Sequence, residues 1–246
     1  MEPTRTRTSP LPVRQESLAT NAGTTDFFGH LRNNRTLVIQ MAIAIVVVVL
    51  IGAVVAVVYN VRANAANVAL SEAMQTLDTP VSTPEQPVPP SVKSFGSLQD
   101  RSRAANVQLA AIADKYSMTP AGRNAQYLQG VTALDIGDKT GAETILKKSA
   151  DGWNHDVATL AQLALAGLYH ATNRDALAIE TYQKVADKPS TLVPAGLARL
   201  ELAELYESNG KDADAKKIYA QIKDKDPKSA AAQIASQKLS GAPAQQ

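Results

Sequence analysis

The chain has 246 residues, a formal net charge of +2 and no cysteine. Near-neutrality without a basic stripe argues against nucleic acid as a partner. The missing thiols exclude disulfides, iron–sulfur clusters and thiolate zinc sites. Aromatic residues are only 4% of the chain and alanine is abundant, which favours closely packed helices over stacked sheets.

Residues 1–35 are rich in Thr, Pro, Arg, Asn and Gln, show no sustained period, and read as a disordered cytoplasmic tail. Phe27, Phe28 and Leu31 beside Arg32 are a candidate turn at the headgroups. The run from Leu37 to Tyr59 then carries no charged residue and lies between Arg35 and Arg62. Roughly 23 residues make a helix of about 34 Å, enough to cross ~30 Å of hydrocarbon. Lipid leaves backbone amides no outside partner, so the run must be helical despite its valines. Arg32 and Arg35 precede it closely, and only Arg62 follows before Lys93. That bias predicts a single-pass protein of a bacterial inner membrane, N-terminus cytoplasmic and C-terminal domain periplasmic. Ala63-Asn64-Ala65 has the form of a signal cleavage site. The apolar run far exceeds the ~7–15 residues of a signal core, so an uncleaved anchor is expected. Gly52 and Ala56 make one small-xxx-small step, which leaves a homodimer possible.

Helical spacing continues through Val61, Ala65, Val68 or Ala69, Leu70, Met74 and Leu77. Residues 36–77 are therefore expected to be the transmembrane helix plus a stem. The alanine-rich stripe of that stem should pair with another copy, the C-terminal domain or a partner helix. Pro80, Pro84, Pro87, Pro89 and Pro90 then make residues 78–96 a Pro-rich linker. As a polyproline-like spacer it would span roughly 50 Å.

Residues 97–246 repeat. Leu165-Ala166-Gly167-Leu168-Tyr169 matches Leu202-Ala203-Glu204-Leu205-Tyr206, and Ala178 and Tyr182 match Ala215 and Tyr219, each 37 positions on. A fainter copy places Gly130, Ala142 and Leu146 at the corresponding positions. Small residues allow the two helices of a pair to approach, and the tyrosines fill the space beside them. Gly137-Asp138, Asn173-Arg174-Asp175 and Asn209-Gly210-Lys211-Asp212 supply the turns, and Pro120, Pro189 and Pro227 stop the second helices. Helices are expected near 98–116, 121–136, 139–151, 156–172, 175–187, 192–208, 212–224 and 228–239. The first is a capping half-repeat and the last a polar-faced cap.

The last copy resembles the tetratricopeptide repeat: Leu202, Ala203, Tyr206, Ala215, Tyr219 and Pro227 fall at that family's small, aromatic and proline positions, with Arg199 at its usual tryptophan. The middle copy carries extra residues around 188–192. The segment from Asp114 to Gly122 is similar to a link common in envelope proteins of this kind. The resemblance implies an all-α fold, one transmembrane helix followed by an α-solenoid of helix pairs. Anchor plus repeats together resemble the ancillary SecYEG translocon subunit (YfgM-like) family. That resemblance implies a non-enzymatic protein that binds translocon or periplasmic chaperone partners. The longer tail and the proline stretch depart from that family's layout. A structural part of a secretion or polysaccharide-export complex is the alternative.

Chemistry is sparse. His30, His155 and His170 are the only histidines, no metal-binding pair stands at i, i+4, and neither a phosphate-cradling loop nor a nucleophile elbow occurs. No catalytic residue, metal or cofactor is expected. Glu201, Glu204 and Glu207 follow i, i+3, i+6 and read as a solvated face rather than a cation site. Trp153 reads as a packing anchor between repeats. By analogy with the repeat family, first-helix residues line a concave partner-binding groove. They are Asn124, Tyr127, Val131 and Leu134; Leu160, Leu163, Gly167 and His170; and Leu197, Leu200, Glu204 and Glu207. Only Asn124 suits a carboxylate clamp, so the groove suits an apolar segment or partner helix rather than an acidic C-terminus.

Overall fold

The computed structural model describes residues 35–84 and 86–241. The segment expected to be a tail, the turn expected at Phe27 and Phe28, and His30 lie outside the described residues. The chain divides into two bodies, residues 1–57 and 58–246. Helix α1 (Arg35–Asp78) begins in the first and ends in the second. In the first body, every side chain from Leu37 to Val57 is exposed, and this part of α1 is long and apolar enough to cross a membrane.

The second body is all helical apart from one isolated β-bridge among the described residues. After the stem end of α1 come α2 (Leu98–Lys115), α3 (Pro120–Ile136), α4 (Lys139–Ala150), α5 (His155–His170), α6 (Asp175–Asp187), α7 (Ala195–Ser208), α8 (Asp212–Lys225) and α9 (Ala230–Ser240). Each packs on its neighbour in chain order, which makes a stack of antiparallel pairs. The repeat register holds at the side-chain level. Ala166, Ala178, Ala203 and Ala215 are buried, and Tyr169, Tyr182 and Tyr219 are buried beside them. In the faint first copy a Cβ on Gly130 would lie only 2.7 Å from Leu146 Cδ2, so the absent side chain is what lets Leu146 in. Gly137, Asn173 and Gly210 take left-handed φ of 91°, 57° and 69° at the three turns between paired helices.

Four expectations need correction. First, the stem buries Ala66 and Ala73, flanked by half-buried Ala69, Leu70 and Leu77, whereas Val61 and Val68 are exposed. This seam packs on Ala105, Leu109 and Ile112 of α2, so the stem is the missing first helix of the capping half-repeat. Its direction is opposite to that of α2. Arg62 donates to the Lys115 carbonyl at 2.9 Å, Thr76 Oγ1 to Gln108 Oε1 at 2.9 Å, and Arg101 to the Thr79 carbonyl at 3.3 Å. Second, the proline stretch is not an extended spacer. Val81 pairs with Phe95 in a parallel bridge, Ser82 N–H donates to the Phe95 carbonyl at 2.8 Å, and Phe95 N–H to the Pro80 carbonyl at 3.0 Å. Its two ends meet, so it closes a loop across the stem–α2 turn.

Third, the helix expected from 192 begins at Ala195, with Pro194 at its N-cap. The extra residues of the middle copy form a turn, Ser190 N–H to the Val193 carbonyl at 3.1 Å, that buries Val193 against Leu160 and Leu163. Fourth, Trp153 is 57% exposed and anchors nothing.

The turn acids also differ in detail. Asp138 caps α4, accepting from Gly141 N–H at 2.8 Å. Asp175 sits inside α6 instead and joins three helices. It contacts His170 Nδ1 at 2.7 Å on α5 and accepts from Asn209 Nδ2 at 2.9 Å beyond α7. Those two partners hold its carboxyl below the usual range.

Candidate functional site: the first-helix face

The face formed by α3, α5 and α7 carries the residues expected to line a groove, and they separate into distinct roles. Asn124 and Glu204 are exposed. Val131 is half-buried, and Tyr127, Leu134 and Leu163 are half-buried against the central core of Leu146, Leu165 and Tyr169. Burial pushes the Tyr127 hydroxyl up. Leu160 packs on Val185 and Ala198. Leu200 lies in the core of the last three helices, with Ala203 and Tyr219, rather than on an open surface. His170 is tied to Asp175, and Glu207 accepts from Lys238 Nζ of α9 at 2.8 Å.

Gly167 opens the middle of this face. A Cβ there would stand 3.8 Å from the Tyr182 hydroxyl, which reaches across from α6. Burial, then Glu201 and Glu204, push that hydroxyl up. The Tyr219 hydroxyl is buried and is pushed up to about 12, chiefly by burial and then by Glu207. Glu201, half-buried beside Glu204, has its carboxyl raised by burial first and by that neighbour second. The three glutamates are therefore not one solvated face: Glu201 is half-buried, Glu204 open and Glu207 paired. No group of three potential metal ligands converges among the described residues.

Sequence reasoning missed the partners of Leu197. A cavity of about 540 Å³ lies between the starts of α7 and α9 and the end of α8, lined by Leu197, Arg199, Leu200, Ile222, Ala231 and Ile234. Helix α9 is thus not polar on all its open surface, because Ile234 is exposed there. The apolar spacing of Ala231 and Ile234 was the available signal.

One ionic cluster ties α4 to the turn after α5. Arg174 donates to Glu143 through both terminal nitrogens, at 3.0 and 2.8 Å, and stacks 4.6 Å from the Tyr169 ring. Lys147 meets the same carboxylate at 2.7 Å. The hydrogen bonds from Arg174 and then Lys147 lower the Glu143 carboxyl from 4.5 to about 2. A depressed carboxyl stabilises the fold fully above pH 4.5, and that contribution fades as pH falls toward 2. Lys147 and Arg174 are open enough to solvent to keep it near ~1 kcal/mol. Glu143→Gln should cost that amount at neutral pH and flatten acid unfolding across that window. An unchanged acid limb would refute the pairing.

With this geometry in place, the comparison with known families is direct. Residues 197–229 match the model of the tetratricopeptide repeat. No curated protein and no solved structure matches the chain. The fold is an all-helical, tetratricopeptide-repeat-like stack, and repeats of that kind generally mediate protein–protein interactions.

Proposed function

We propose that this chain is a membrane-tethered protein-binding scaffold, held by residues 37–59 in a bacterial inner membrane with its helix stack on the periplasmic side. The tail ends near residue 35, the span and stem occupy 36–77, the proline loop 78–96, and the repeat domain follows. The observation that carries the reading is a charge-free apolar run followed by paired helices with repeat-type packing. The arginine bias supports the orientation. The occupant of the first-helix face is a translocon or chaperone-type polypeptide, seated by an apolar side chain in the cavity at Leu197 and Ile234.

Photo-crosslinkers placed at Leu197 and at Glu204 in intact cells should give protein adducts, and one at exposed Lys216 on α8 should not. Adducts of equal yield from Lys216 would remove the first-helix face from consideration. Extraction of the chain by carbonate would remove the tether.

A further inference from the structure

The two ends of the helix stack are chemically unlike. The turns after α3, α5 and α7 are Gly137-Asp138, Ala171-Thr172-Asn173-Arg174 and Asn209-Gly210-Lys211, none with a bulky apolar side chain, while the stem–α2 loop at the same end exposes Val92. The turns after α2, α4 and α6 lie at the other end and carry Met118, Trp153 and Leu192, which are 73%, 57% and 55% exposed; the turn after α8, residues 226–229, lies there too and is polar apart from Pro227. The turns after α4 and α6 touch: His155 Nε2 meets the Pro189 carbonyl at 3.1 Å, and Thr191 N–H donates to Asp156 Oδ1 at 3.0 Å. Lysine follows the same division. The last turns of α2, α4, α6 and α8 hold Lys115, Lys147, Lys148, Lys184, Lys223 and Lys225, interleaved with Asp114, Asp187 and Asp224, and of these lysines Lys147 is taken up by Glu143. Those of α3 and α7 hold no basic residue, and α5 and α9 one each. Helix dipoles favour lysine equally at both ends, so they do not account for the difference.

The stem identifies what lies beyond the apolar end. The apolar run stops at Tyr59, and three residues later Arg62 is bonded to the Lys115 carbonyl, at the mouth of the Met118 turn. That turn therefore sits level with the point where the stem leaves the apolar run.

We propose that this end of the stack lies on the bilayer that holds the chain's own span, with Trp153, Met118 and Leu192 in the headgroup layer and the lysines on anionic lipid. The inference rests on the reading of residues 37–59 as a span. Tryptophan partitions to that layer because its ring is apolar while its N–H still finds a partner. Lysines near an anionic surface add attraction. Three bulky apolar side chains exposed on successive loops of a water-facing protein are thereby explained.

Trp153 is the chain's single tryptophan, so its fluorescence reads the site directly. The full chain would be reconstituted in phosphatidylethanolamine–phosphatidylglycerol vesicles, with and without lipid brominated near the headgroup end of its acyl chains. The expected result is loss of Trp153 emission in the brominated vesicles together with shielding from aqueous acrylamide. Met118→Ser with Leu192→Ser should reduce both effects while the protein still floats with the vesicles. Flotation with Trp153 open to acrylamide and untouched by bromine overturns the inference and spares the tether. Shielding without bromine quenching assigns the edge to a second protein copy and also overturns it. Failure to float overturns both readings.

Discussion

Leu146→Ala should lower the stability of the helix stack by about 2–5 kcal/mol. Leu146 is fully buried and occupies, in the first copy, the place that Tyr182 and Tyr219 hold in the later two. It packs over Gly130 of α3 and joins the core formed by Ala161, Leu165 and Tyr169 of α5. Truncation leaves a hole walled by short alanines and a glycine, which have little side chain with which to collapse into it. The measurement is chemical unfolding of the full chain in detergent, with Leu177→Ala as control. Leu177 is an exposed leucine on α6, and its loss should cost no more than ~0.5 kcal/mol. Equal costs for the two would mean that the first copy is not packed in repeat register.

Gly122→Ala is the second large effect. Gly122 sits at the start of α3, where its N–H is capped by Thr119 Oγ1 at 3.1 Å. A methyl group there would run into the Tyr116 carbonyl oxygen. Backbone cannot swing aside as a side chain does, so the α2–α3 elbow would have to open. The cost should be about 1–3 kcal/mol or more. At Gly130 the obstructing atoms belong to the Leu146 side chain, and Gly130→Ala should be the milder change. Thermal unfolding of the two variants checks the order, and a Gly122→Ala protein as stable as the wild type would refute the close approach.

These contrasts show why some of the molecule was legible in the sequence. The alanine-and-tyrosine spacing fixes which face of each helix is buried, because only small residues admit the neighbour and only one spacing brings them together. The turns followed from Gly137, Asn173 and Gly210, whose left-handed backbone few other residues adopt without cost. The stem was harder. It has two comparable stripes, Val61 with Val68 and Ala66 with Ala73, and helical period cannot choose between them. The choice is made by α2, which is distant in sequence. The proline loop misled for a related reason: proline dictates local extension, while the bridge between Val81 and Phe95 is a tertiary contact. Of the first-helix face, repeat analogy located the positions but not their depth. Leu200 faces inward because Ile222 and Ala235 lie over it, and the cavity at Leu197 depends on α9.

The closed proline loop has a consequence for processing of the chain. Its ends are pinned to each other, and the stem and α2 on either side hold together through their own buried seam. Exposed residues such as Pro87 and Ser91 offer an endopeptidase a site. A single nick there would sever the polypeptide yet shed neither fragment, so a two-chain form would be retained wherever the intact one resides.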